Sequence, residues 1–312
     1  MHTVDIIIPT YRPDERLRLL LRGIARQSYP VRRIHIINTE QKYWRDGLLP
    51  DLGQTALEIT HISLGEFDHG GTRAMGAEMS SADFFMFMTQ DAVPADSFLV
   101  EELLKPFFSD RTVAVSYARQ LPVRGQSDLA EEFARGFNYP EKSRIKRQED
   151  IKAMGIKAFF CSDVCAMYRR EAYFRVGGFV SPTIFNEDMI FAADALQKGM
   201  GVAYCAEARV YHSHCYSGKQ LISRNFDMGV SQRRYADRFN GVSSEKEGIR
   251  FVLAAARKLY SQGGLRPVIR LFYNSACKYA GYFLGKHYRV LPKRVVRSLS
   301  AGKAYWDKPE AR

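Results

Sequence analysis

Three short stretches of the chain hold side chains able to move protons or bind a cation, and most follow an apolar segment. Thr89-Gln90-Asp91 comes directly after Phe84–Met88, the most hydrophobic strand-like run. A carboxylate there sits at the bottom of a cleft, where a hard divalent cation takes oxygen ligands and a bound diphosphate supplies the remainder. The competing reading of Asp91 is a cap for a helix starting near Pro94. Glu187-Asp188 opens an apparent helix. Paired carboxylates in that place either sit on the positive end of the helix dipole or offer a general base to a substrate hydroxyl. His212-Ser213-His214 ends a strand-like segment, and one of these histidines can close a metal shell begun by Asp91. Cys205 and Cys215 have ligand chemistry for zinc, but their spacing matches no zinc pattern.

The elements around these stretches alternate. Val4–Pro9 reads as a buried strand, followed by Leu17, Leu20, Leu21 and Ile24 at the spacing of an amphipathic helix. Strands are predicted at Ile34–Ile37, Leu57–Ser63, Phe84–Met88 and Thr112–Tyr117, with helices over Gly71–Ser80 and about Asp96–Phe108. This is the pattern of a doubly wound α/β sheet, in which ligands lie beyond the carboxyl ends of the strands. Two further strand ends, Pro9-Thr10-Tyr11-Arg12 and Asn38-Thr39-Glu40, therefore belong to the candidate site. No Gly-x-Gly-x-x-Gly follows the first strand and no Gly-Lys-Ser/Thr follows Gly70-Gly71, which disfavours a Rossmann dinucleotide site and a Walker loop. Residues 121–155 read as a charged mobile loop or short helices. After them come a strand at Asp163–Tyr168, a turn at Gly177-Gly178, a helix over Asn186–Lys198 and two short strands within Val202–His212. From Ser217 the pattern is helical almost to the end.

The 312 residues are 46% hydrophobic and 26% charged, an ordinary globular balance. Five cysteines without a Cys-x-x-Cys pair fit buried free thiols in a reducing cytoplasm. No apolar run approaches the roughly 20 residues of a membrane span, and residues 1–20 show no signal peptide, so a soluble intracellular chain is expected. The net charge of +12 is unevenly placed. Residues 1–244 hold 31 basic and 30 acidic side chains, whereas residues 245–312 hold 15 and 4. Within that tail Leu265, Ile269, Phe272, Ala276, Tyr279 and Phe283 form a stripe edged by arginines and lysines. Such a helix suits an anionic membrane surface; the other reading is a helix packed on the body with its charges solvated. Nucleic acid is disfavoured, because no binding motif accompanies the charge.

Taken in order, VDIIIPTY at 4–11, GTRAMG at 71–76, FMFMTQD at 85–91, Tyr168-Arg169-Arg170 with Gly177-Gly178-Phe179, and Asn186-Glu187-Asp188 resemble family 2 glycosyltransferases of the GT-A fold. More narrowly, HGGTR at 69–73, TQDAVP at 89–94, YHSH at 211–214 and LGKHYRVLP at 284–292 look like bacterial rhamnosyltransferases of polysaccharide assembly. The resemblance implies a Rossmann-like, mostly parallel GT-A domain over 1–240 and a basic helical extension over 241–312. It implies inverting transfer of a sugar from a nucleoside diphosphate donor, dTDP-L-rhamnose, with Mg2+ or Mn2+ as cofactor. Asp91 takes the last place of the family's Asp-x-Asp, with Gln90 at sugar or ribose, and His214, with His212 second, completes the ion's shell. Pro9, Thr10, Tyr11 and Arg12 match the loop that cradles the base, and Asn38 or Glu40 the base contact. Arg73 matches a basic residue near the nucleotide and Asp68 a ribose contact. Asp188 matches the general base, Glu187 orients acceptor or helix, and Asp163 is a candidate acceptor contact. The implied acceptor is a lipid-linked glycan, with the enzyme cytoplasmic and peripheral on the inner face of the cell membrane. A UDP-hexose donor, and a non-catalytic nucleotide- or glycan-binding scaffold, remain as alternatives.

Overall fold

The computed structural model describes residues 2–123, 125, 127–214, 216–239, 242 and 245–308. Cys215, and the boundary expected between 240 and 241, lie outside the described residues. Nine strands run in chain order as β1 (Val4–Tyr11), β2 (Arg33–Thr39), β3 (Ala56–Ile62), β4 (Phe84–Met88), β5 (Val93–Pro94), β6 (Val113–Leu121), β7 (Arg144–Lys146), β8 (Cys165–Arg169) and β9 (Gly201–Tyr211). The helices of the body are α1 (Glu15–Ala25), α2 (His69–Met79), α3 (Leu99–Ser109), α4 (Leu129–Asn138), α5 (Ile151–Met154), α6 (Arg170–Val176) and α7 (Glu187–Gln197). Four more complete the chain: α8 (Gly218–Arg234), α9 (Glu245–Gly263), α10 (Leu265–Lys286) and α11 (Lys293–Leu299).

All nine strands join one sheet in the order β3-β2-β1-β4-β8-β6-β9-β5, with β7 beside β9. The ladders β3-β2-β1-β4 and β6-β9 are parallel, while β8 runs antiparallel between β4 and β6. That reversal matters for the site: the start of β8, not its end, meets the edge where the parallel strands finish. Strand residues alternate between two cores. Ile6, Ile8, Met86 and Met88 pack with Leu17, Leu20 and Leu103, whereas Ile7, Phe85 and Phe87 pack with Ala77, Tyr173 and Phe191. Asp14 caps α1 by accepting from the Arg16 N–H, and Asp68 caps α2 by accepting from Gly71 at 2.6 Å.

One local expectation changes and another is resolved. The segment read as two short strands is one strand, β9, whose pairing with β6 shifts register where its Cys205 and Arg209 face the consecutive Ala118 and Arg119. Of the two readings of 121–155, a mobile loop or short helices, the described residues follow the second and add a short strand. The segment holds α4, β7 and α5, and the buried Lys146 donates to the Phe160 carbonyl and lies 4.9 Å from the Tyr117 ring centroid.

The C-terminal helices do not pack by their apolar stripe. α10 crosses α8 on its glycine face, where a Cβ on Gly281 would strike the Ile222 carbonyl and one on Gly285 the Phe226 carbonyl. Backbones approach this closely only where the side chain is absent. Leu265 (63% exposed), Ile269 (61%), Phe272 (53%) and Tyr279 (60%) are left facing outward. No helix among the described residues is long and apolar enough to cross a membrane. Gly285→Leu is expected to overpack this crossing and lower the unfolding free energy by about 1–3 kcal/mol, measured by urea denaturation.

Candidate active site

The carboxyl edge of the sheet opens into a cleft of about 640 Å³ lined by Asp91, Asp163, Glu187, Asp188, His212 and His214, among others. Asp91 stands just past β4, and the two histidines just past β9. Because α3 opens at Leu99 with Phe98 before it, Asp91 caps no helix. His212 Nε2 lies 3.6 Å from Asp91 Oδ1, and His214 Nε2 lies 3.4 Å from Asp91 Oδ2. One ligand atom from each residue falls within 4.8 Å of the others. Gln120, near the end of β6, accepts from His212 Nδ1 at 3.0 Å. That bond sets the tautomer and turns the Nε2 lone pair toward Asp91, a second layer of support common at metal-ligating histidines. Burial, together with the positive charges around them, lowers the basicity of both imidazoles. Neutral imidazoles beside a carboxylate are the state a divalent cation requires, so the donor set fits one.

Deeper in the cleft three carboxylates share one guanidinium. Arg73, almost fully buried, points Nη1 at Glu187 Oε1 (3.1 Å) and Nε at Asp163 Oδ2 (3.4 Å). Tyr168 donates its hydroxyl to Asp163 Oδ1 at 2.6 Å. Asp188 Oδ2 accepts from the Asp163 N–H at 3.1 Å, and its Oδ1 from the Met189 N–H at 2.7 Å. Burial and the neighbouring carboxylates push Asp163 well above the usual carboxylate range. Asp188 is pushed up to about 7, by burial first and then by the Glu187 charge. A carboxylate so placed takes up a proton near neutral pH.

The loop after β1 is held by contacts to its backbone. Gln90 accepts from the Tyr11 N–H at 2.9 Å and donates to the Tyr11 carbonyl at 3.1 Å, so its amide fixes the end of β1. The Arg12 guanidinium donates to the Tyr43 hydroxyl at 2.9 Å and lies over that ring. Pro9, Thr10 and Tyr11 line the cleft. Asn38 is wholly buried, accepting from the Thr10 hydroxyl at 3.0 Å and contacting His61 Nδ1 at 3.0 Å. Glu40 accepts from the Leu64 N–H at 2.8 Å and pairs with Lys42. Asp68 accepts from Gly71, Ser181, Thr183 and Lys308. Arg12, Glu40 and Asn186 are the non-glycine residues with positive φ among those described, and all three border this edge. Backbone strain concentrated at one site is a mark of function.

Gln120, Arg135 and Arg224 also line the cleft but give no sequence signal, being single polar residues inside elements read for their apolar positions. The Arg224 guanidinium lies 5.3 Å from the Phe185 ring centroid and 4.8 Å from that of Tyr216. Among the described residues it pairs with no carboxylate.

With this geometry in view, the comparisons with known proteins are specific. The glycosyl transferase family 2 model matches residues 5–177. The chain is 37% identical over 308 residues to the O-antigen chain rhamnosyltransferase RfbN of Salmonella typhimurium, covering 97% of this chain and 96% of that one. It is 41% identical over 312 residues to the O-antigen chain rhamnosyltransferase WbaN of Salmonella anatum, covering 98% and 96%. Among solved structures it resembles the mannosyltransferase PcManGT of Pyrobaculum calidifontis in complex with GDP-Man and Mn2+, with a TM-score of 0.58 at 17% identity, covering 98% of this chain and 88% of that one. It also resembles S. aureus TarS 1–349, with a TM-score of 0.54 at 13% identity, covering 97% and 88%. The chain belongs to glycosyl transferase family 2 and has the GT-A fold with a helical C-terminal region.

Removing Arg73 leaves the buried Asp163 and Glu187, with Asp188 beside them, without their cation. Arg73→Leu is expected to cost about 3–5 kcal/mol of stability near pH 8. Asp163 and Asp188 have raised folded pKa values, so their protonation favours the fold as pH falls. The deficit should shrink toward about pH 5, measured by urea melts at both ends.

Proposed function

We propose that this glycosyltransferase moves L-rhamnose from dTDP-L-rhamnose, with inversion, onto a lipid-linked glycan of bacterial cell-envelope polysaccharide. The observation that carries the chemistry is one cleft shared by a cation-type triad, Asp91, His212 and His214, and a carboxylate of near-neutral pKa, Asp188. The donor assignment rests on the two O-antigen rhamnosyltransferases, which match this chain along nearly its whole length.

Asp188 accepts the proton of the acceptor hydroxyl as that oxygen attacks the anomeric carbon from the face opposite the diphosphate. A carbon–oxygen bond to the acceptor forms, the bond to the diphosphate oxygen breaks, and the nucleoside diphosphate leaves. Positive charge developing at the sugar is favoured by the carboxylates on that side of the cleft. Glu187, held by Arg73, keeps the start of α7 in place, while Asp163 fixes Asp188 through its backbone N–H. Asp91, His212 and His214 would hold Mn2+ or Mg2+. Bound there, the ion offsets charge on the leaving diphosphate. Arg224 and Arg135 add fixed positive charge along the same wall.

The reaction takes place at the inner face of the cell membrane, on which the enzyme rests peripherally. Supporting this, the apolar stripe of α10 is exposed rather than packed, and the tail's basic excess surrounds it. Each basic side chain near an anionic surface contributes about 1 kcal/mol.

Asp188→Asn should lower transfer about 10²–10⁴-fold while leaving donor binding in place, measured by radiolabelled sugar transfer and by nucleotide titration. Survival of near-normal turnover removes the proposed base. dTDP should raise the melting temperature in the presence of Mn2+ more than UDP does. A UDP-selective rise moves the donor while keeping the mechanism. In flotation, the wild type should rise with anionic vesicles and the Ile269→Glu, Phe272→Glu double variant should stay at the bottom. Equal flotation of the two proteins contradicts the membrane role.

A further inference from the structure

A second chamber of about 440 Å³ opens at the ends of β1 and β2. It shares Tyr11, Phe67, His69, Phe185 and Arg224 with the cleft, so the two lie side by side. Its volume lies in the range that encloses most of a small organic ligand. Its outer wall comes from the far end of the chain: Ala301, Gly302, Lys303, Ala304 and Tyr305.

Two buried polar atoms of its lining lack a partner among the described residues, Asp227 Oδ1 and the Thr39 hydroxyl, and of the two only the hydroxyl can both donate and accept. Thr39 is 2% exposed and lines the chamber, and its hydroxyl has no hydrogen-bond partner among the described residues. A buried hydroxyl left unpaired is costly and rare. Its neighbours are already engaged: Asn38 with Thr10 and His61, Glu40 with Leu64 and Lys42. A hydroxyl both donates and accepts, which suits a pyrimidine edge that presents an N–H between two carbonyls.

The outer wall is fastened at both ends. Asp227 on α8 accepts from the Ala301 N–H at 2.9 Å and the Gly302 N–H at 3.1 Å. Lys308 Nζ lies 3.2 Å from Asp68 Oδ2 and 3.2 Å from the Glu66 carbonyl, tying the wall to the cap of α2. Between these points Tyr305 is buried with Ile184 and Phe226.

We infer that the C-terminal segment Ala301–Lys308 is the outer wall of the donor's nucleoside subsite, with the Thr39 hydroxyl as its base-reading group. This rests on the nucleotide-sugar reading above and adds that base discrimination depends on residues far from the cleft in sequence. Neither Asn38 nor Glu40 then reads the base.

The test uses the full chain with Mn2+ and three probes in isothermal titration: dTDP, UDP and inorganic pyrophosphate. Ala304→Phe fills the chamber from its wall, and Thr39→Val removes the hydroxyl while keeping the shape. Ala304→Phe should weaken dTDP at least about tenfold and Thr39→Val about three- to tenfold. Pyrophosphate, which has no nucleoside, should bind both variants as it binds wild type. If both variants bind dTDP with wild-type affinity, the inference is overturned and the glycosyltransferase reading stands. If pyrophosphate weakens in parallel with dTDP, the wall assignment also fails, because the damage is then not confined to the nucleoside. A wild type that binds none of the three probes overturns the donor reading itself, and this inference with it.

Discussion

Two buried carboxylates, Asp163 and Glu187, pair with a single guanidinium, Arg73, and a third, the part-exposed Asp188, accepts from the Asp163 N–H beside them. One positive charge cannot offset three negative ones where water is scarce. The cluster relieves this by holding protons at pH values where exposed carboxylates have lost theirs. The excess charge therefore appears as basicity, and Asp188 is where it meets the open cleft. Structural burial of this kind would be a liability in a scaffold; here it supplies a proton acceptor suited to neutral pH.

Topology brings the cluster together. Parallel strands deliver Tyr11, Thr39 and Asp91 to one edge, and β9 delivers His212 to the same edge. β8 runs the other way, so Asp163, just ahead of it, arrives at that edge too. Its N–H can then reach Asp188 at the start of α7. The candidate cation ligands Asp91 and His212 come from elements over a hundred residues apart, yet each follows from which end of its strand faces the cleft.

Much of this was legible in the sequence. The apolar run Phe84–Met88 coincides with β4, and Asp91 behind it meets the two late histidines named beside it. What stayed hidden depends on partners rather than on pattern. Periodicity marked an apolar face on α10 without revealing that glycines, not that face, pack against α8. Asn38 and Glu40 have the chemistry of base readers, and the hydrogen bonds that engage them come from Thr10 and Leu64, partners that no spacing shows. Gln120 and Arg135 were invisible because a single polar residue in a strand or helix has no spacing to interpret.

Infrared difference titration of the carboxyl groups, from about pH 5 to about pH 9, tests the central claim most directly. It needs neither donor nor acceptor. The account predicts a protonated-carboxyl band that titrates near pH 7 and is missing from Asp188→Asn. A spectrum whose protonated-carboxyl bands have all vanished by about pH 5, or a neutral-range band untouched by Asp188→Asn, would contradict it.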